Sequence, residues 1–178
     1  HMGPSEGDNA GYNTWPDQWP DKLNDPLDPG WASSWNGYFG KNQKNAEQES
    51  YFVMDDAKDS EFFYYPDSND LERRGIGLRC TQRGLQWNHI LAEDVLFWLY
   101  DIKNISDYNI DKMVFGYIVG TITGGDGDSG DDWADFEKTD DIAFSYDNGT
   151  DLETGLGGIG ASGWSPVGLA GYAFLESP

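Results

Sequence analysis

From residue 51 onward, apolar and polar positions alternate in short runs separated by turn residues: Tyr51 to Met54, Glu61 to Tyr65, Gly75 to Trp87, Val95 to Lys103, Met113 to Thr121, Ile142 to Tyr146 and Leu169 to Leu175. Period-two runs at this spacing predict an all-β fold, an antiparallel β-sandwich or jelly roll. In the run Val95 to Lys103 both alternate sets are apolar as far as Leu99. That predicts a central strand covered on both sides, with Trp98, Tyr100 and Ile102 in the core. Residues 103–109 read as its connection to an antiparallel neighbour at 113–121. A helix fits only Leu85 to Leu96, where a short apolar run is ambiguous and Asn88 supplies a cap.

The first 50 residues have a different texture. Trp15-Pro16, Trp19-Pro20, Asp25-Pro26 and Asp28-Pro29 interrupt the chain too often for a helix. Aromatic residues at 15, 19, 31, 35, 38 and 39 argue against a free linker, which would gain nothing from them. The expected organisation is a cloning remnant at 1–2, a long loop-rich aromatic wrap over 3–50 and a β-sandwich core over 51–178. Glycines at 155, 157, 158, 160 and 163 lack the lysine and the strand-to-helix setting of a phosphate loop, so they read as a flexible inter-strand loop.

Charge narrows the partners. With 11 Lys+Arg against 32 Asp+Glu, the formal net charge is -21. Nucleic-acid and anionic-membrane binding depend on Lys and Arg, so neither is expected as a partner. Acidity of this degree accompanies disorder in chains poor in aromatics, but here 8 Trp, 10 Tyr and 9 Phe supply the apolar area of a folded domain. The longest apolar run, Val95 to Tyr100, falls far short of the ~20 residues of a membrane span.

Candidate chemistry concentrates in Gly124 to Asp135. Asp126, Asp128, Asp131 and Asp132 fall within seven residues, Asp135 follows, and the interleaved glycines permit tight turns that gather carboxylates round one point. Gathered carboxylates repel by ~4 kcal/mol per pair at 4 Å and an effective dielectric near 20, so the cluster calls for a cation. Calcium, with six to eight oxygen ligands in flexible geometry, suits a Gly-rich loop best. The spacing is not that of an EF-hand: counted from Asp126, Gly130 stands at position 5, Asp131 at 6, and the flanks read as strands. Asp55 and Asp56, in a second acidic stretch ending at Glu61, either join the same ion or form a polar hairpin connection.

Trp15, Trp19, Trp31, Trp35, Trp133 and Trp164 all stand in loop-like surroundings. Flat indoles stack on the C–H faces of sugars, which makes glycan binding the alternative function. The competing reading is that they anchor long loops to the sandwich, and exposure of the rings decides between the two. Catalysis has little support. A pair of carboxylates at glycosidase spacing arises by chance among 32 acidic residues, and His89 is the only histidine beyond position 1. Cys80, the sole cysteine, reads as a small buried hydrophobe, and Cys80 with His89 cannot build a zinc site.

Several stretches carry a resemblance: Trp19 to Pro26, Trp35 to Gly40, Tyr51 to Asp56, Gly124 to Asp132 and Gly171 to Pro178. Together they resemble an uncharacterised β-rich region of large secreted or cell-surface proteins of Bacteroidetes-like bacteria, many of which end in a type IX sorting domain. The resemblance implies a secreted or surface location, neighbouring domains of the same long chain as partners, and a continuation beyond Pro178. It implies no activity. The reading as a whole is a non-catalytic, calcium-stabilised module.

Overall fold

The structure, a computed structural model, describes residues 2–5, 15–61, 63–120, 123, 132–147 and 169–177. Among these the fold is all-β: β1 (Met2–Pro4), β2 (Asn36–Gly37), β3 (Gly40–Lys41), β4 (Gln48–Asp55), β5 (Leu78–Gln86), β6 (Leu96–Asn104), β7 (Asp132–Glu137), β8 (Ile142–Asp147) and β9 (Ala170–Ala173). The only helical element described is one 3-10 turn, Pro20–Lys22, so the helical option for 85–96 is excluded. All pairings are antiparallel. The chain divides into two compact units, residues 1–113 and 114–178.

The first unit is built on the sheet β1-β4-β5-β6, with the small hairpin β2-β3 beside it in sequence. Met2, read as part of a cloning remnant, stands opposite Phe52 in the β1–β4 ladder. Register puts Glu49, Tyr51 and Val53 of β4 on the same face as Thr81, Arg83 and Leu85 of β5, and Phe97 and Leu99 of β6. The segment 15–36 packs here. Trp19 and Trp35 are 0 % and 1 % exposed, and with buried Tyr51 they form the core, flanked by Trp15, Trp31 and Val53. Trp19 meets Trp35 and Tyr51 edge-on at 5.7 Å and 5.2 Å between ring centroids, a favoured aromatic geometry.

Two expectations are corrected here. The strand with both faces covered is β5, where Gln82, Arg83, Gly84 and Leu85 are all buried, and not β6. Among the described strands β6 is at the end of its sheet. Trp98, Tyr100 and Ile102 lie on the face away from the tryptophan core, Trp98 being 42 % exposed and the other two half-buried. Apolar content overstated the burial of β6, while the covering of β5, expected only as one of several strands within Gly75 to Trp87, was not foreseen because Gln82 and Arg83 among its buried positions are polar.

Trp98 nevertheless packs. Its ring lies over Gly84, where an added Cβ would stand 2.7 Å from both Trp98 Cζ3 and Ser50 Oγ. Glycine in the strand is therefore dictated by a close approach. The strands expected at 61–65 and 113–121 are absent from the described residues of those stretches. Apolar β-formers do not make a strand without a ladder partner; Tyr64 instead contacts Tyr108, and Tyr65 lies under the Arg74 guanidinium.

The second unit contains the sheet β7-β8-β9. Register places Asp132, Ala134, Asp147, Ser145, Ala143 and Tyr172 on one face, and Trp133, Asp135, Tyr146, Phe144 and Gly171 on the other. Tyr117 meets Tyr172, at 6.0 Å between centroids, on the first face, and a shallow groove there is closed by Val119 and Gly120. The glycine-rich stretch 155–163 lies outside the described residues.

Candidate functional site

The tryptophans separate into two groups. In the first unit three indole N–H groups of the N-terminal segment have protein acceptors: Trp19 donates to the Ser34 carbonyl at 2.7 Å, Trp35 to Glu49 Oε2 at 2.7 Å, and Trp31 to Asp25 Oδ2 at 2.6 Å. The Trp15 ring lies 5.5 Å from that of Trp35, tilted by 47°. These rings anchor a loop-rich segment to a sheet; Trp19 and Trp35 offer no face to a ligand. In the second unit, Trp133 is 56 % exposed on β7. Trp164 lies outside the described residues.

The buried tryptophans are organised by charges that composition alone did not reveal. Glu49 is buried; its Oε1 accepts the backbone N–H groups of Asn45 and Ala46, at 2.5 Å and 3.3 Å, while Oε2 takes the Trp35 indole. Arg83 is buried too, donating to the Asn36 carbonyl at 2.6 Å and lying 4.5 Å above the Tyr51 ring. Burial lowers the Arg83 pKa, opposed by Tyr51, Asp21 and Glu49. Burial, reinforced by Asp21, pushes the Tyr51 phenol up to about 12. The available signal was positional: Glu49 shares the alternate set of Tyr51 and Val53.

The acidic candidates have distinct fates. Asp56 accepts from the backbone N–H groups of Ile76, Gly77 and Leu78 at 2.7, 3.0 and 3.1 Å, and Arg73 stands 3.6 Å from its Oδ1. It closes the connection between β4 and β5. Asp55 caps its own turn through the Ala57 N–H. Neither is brought to a shared carboxylate cluster in the first unit, since among the described residues no group of three or more His, Cys, Asp or Glu is placed to hold a metal ion.

Asp126, Asp128 and Asp131 lie outside the described residues, but Thr123 before them and Asp132 after them are described. On one side Thr123 is tied down: its hydroxyl donates to Asp132 Oδ1 at 2.6 Å, and its N–H reaches the same oxygen at 3.3 Å. On the other, Asp132 opens β7 directly opposite Asp147, the last residue of β8, which is buried. Asp147 was not foreseen; its signal was its place at the end of an alternating run. Asp135 points to the opposite face, beside Phe144, and is exposed.

Cys80 is half-buried within β5, and burial followed by the nearby Asp101 raises its pKa, which keeps it a thiol. Among the described residues no helix is long and apolar enough to cross a membrane. No protein family, curated protein or solved structure matches the chain.

Proposed function

We propose that the chain is a non-catalytic, calcium-stabilised β-sandwich module of an extracellular or cell-surface protein. The observation that supports it most is the pairing of Asp132 with Asp147. Like charges directly opposite one another on antiparallel strands destabilise a sheet, and this pair stands where the loop containing Asp126, Asp128 and Asp131 enters β7. A hard divalent cation reverses the sign of that interaction and takes the remaining oxygens from carboxylates and loop carbonyls. Magnesium, which demands strict octahedral geometry and keeps its waters, suits such a loop less. The surface location rests on the resemblance to secreted bacterial proteins.

Thermal unfolding of the full chain with calcium and with EDTA, at matched ionic strength, tests the proposal. Calcium at a hundredfold excess over Kd is expected to add ~2.7 kcal/mol of stability. Asp126→Asn with Asp128→Asn, or Asp147→Asn alone, is expected to remove most of the calcium shift. An unchanged Tm together with no calcium binding to demetallated protein at millimolar concentration overturns it.

A further inference from the structure

The second face of β7-β8-β9 carries a set of rings that the calcium reading does not use. Trp133 of β7 is the register partner of Tyr146 of β8, and Phe144 lies two residues further along the same face. The Phe144 and Tyr146 rings are 5.9 Å apart and only 31° from parallel. Asp135, the partner of Phe144, stands exposed beside them. On β9 the position next to Phe144 is Gly171: an added Cβ would come within 3.3 Å of Ile142 Cγ2 and 4.0 Å of Phe144 Cβ. Glycine there adds no side chain over these groups; Ile142, Phe144 and Tyr146 are half-buried, and Trp133 is 56 % exposed.

We propose that this face binds a neutral polysaccharide of β-linked, glucose-type pyranoses. Such sugars carry their hydroxyls equatorially, so both ring faces present C–H groups that stack on aromatic rings, while the edge hydroxyls donate to a carboxylate such as Asp135. The charge of the chain, -21, selects against acidic polysaccharides and leaves uncharged ones as the fitting class. The proposal is independent of the calcium reading.

Calorimetric titration of the full chain in calcium-containing buffer with cellohexaose, and with alginate as the acidic comparison, tests it. Cellohexaose binds and alginate does not. Trp133→Ala weakens binding at least tenfold. Gly171→Val, which keeps every ring but covers the flank of Phe144, weakens it severalfold, and Trp98→Ala in the other unit leaves it unchanged. Circular dichroism identifies any variant that fails to fold; if Trp133→Ala is one, Gly171→Val carries the test. No cellohexaose binding at millimolar concentration overturns the proposal, as does affinity unchanged in a folded Trp133→Ala or Gly171→Val. Self-association that Trp133→Ala abolishes, in the absence of sugar binding, assigns the face to a second copy instead and equally overturns it.

Discussion

Trp35 donates its indole N–H to Glu49 across 2.7 Å within the core, and the other oxygen of the same carboxylate holds the chain at Asn45 and Ala46. One buried side chain thus fixes both a core ring and the approach to β4. Glu49→Ala leaves three donors without an acceptor and is expected to cost about 2–4 kcal/mol, read as a fall in the urea midpoint at constant m. Glu49→Gln, which retains one carbonyl oxygen, costs less. Equal, near-zero effects would remove Glu49 from the core network.

Tyr51 makes stability fall at alkaline pH. Its phenol titrates at about 12 in the folded chain against 10.0 unfolded. The folded state therefore holds the proton more tightly: the contribution is complete below pH 10 and is lost as pH rises through 12. Up to about 2–3 kcal/mol is expected to disappear across that window, and Tyr51→Phe flattens the profile. Unfolding free energies measured from pH 9 to 12 check this.

Gly84 and Trp98 form a testable couple. Gly84→Ala places a methyl against the Trp98 ring and the Ser50 hydroxyl and is expected to cost about 1–3 kcal/mol. Combining it with Trp98→Ala recovers part of that loss. Strict additivity in the double-mutant cycle would mean that the ring does not cover the glycine.

Asp56 carries a structural load that its sequence neighbourhood disguises. Asp56→Ala strands the Ile76, Gly77 and Leu78 N–H groups and is expected to cost about 2–3 kcal/mol, with or without calcium. A calcium-dependent difference between wild type and variant would instead make Asp56 a ligand.

At the acid end, the Trp31 indole N–H, followed by the Leu27 N–H, holds the Asp25 carboxyl below the usual carboxylate range. That interaction is present above ordinary carboxylate pH and is lost as pH falls through the depressed value. Emission from Trp31, isolated by comparing Trp31→Phe with wild type, is expected to change only in strong acid.

What was legible in the residues was whatever obeys a local rule. Alternation in 142–146 and 51–54 predicted β8 and part of β4, because side chains on a strand switch faces at every step. The core was less legible. Arg83 and Glu49 are buried where Asn36 and Trp35 meet them from elsewhere in the chain; Arg83 and Asn36, for instance, are 47 residues apart, and no short window contains both. The apolar run at 113–121 erred in the other direction, since β propensity is silent about whether a ladder partner exists. The acidic stretch was singled out by its spacing and lies mostly outside the described residues, whereas the opposition of Asp132 and Asp147 is a property of register.

The reach of Arg83 to the Asn36 carbonyl also sets an order of events. Residues 15–36 have no sheet ladder of their own apart from the first strand of a two-residue hairpin, and their anchoring surface, Glu49, Tyr51 and Arg83, exists only once β4 has met β5. Closing so long a loop before any docking contact forms makes this a late step in folding. Refolding followed by tryptophan emission is therefore expected to lag behind the far-ultraviolet signal of strand formation. In amide exchange the N-terminal segment should open as a unit, at a lower free energy than the β4–β5 ladder beneath it.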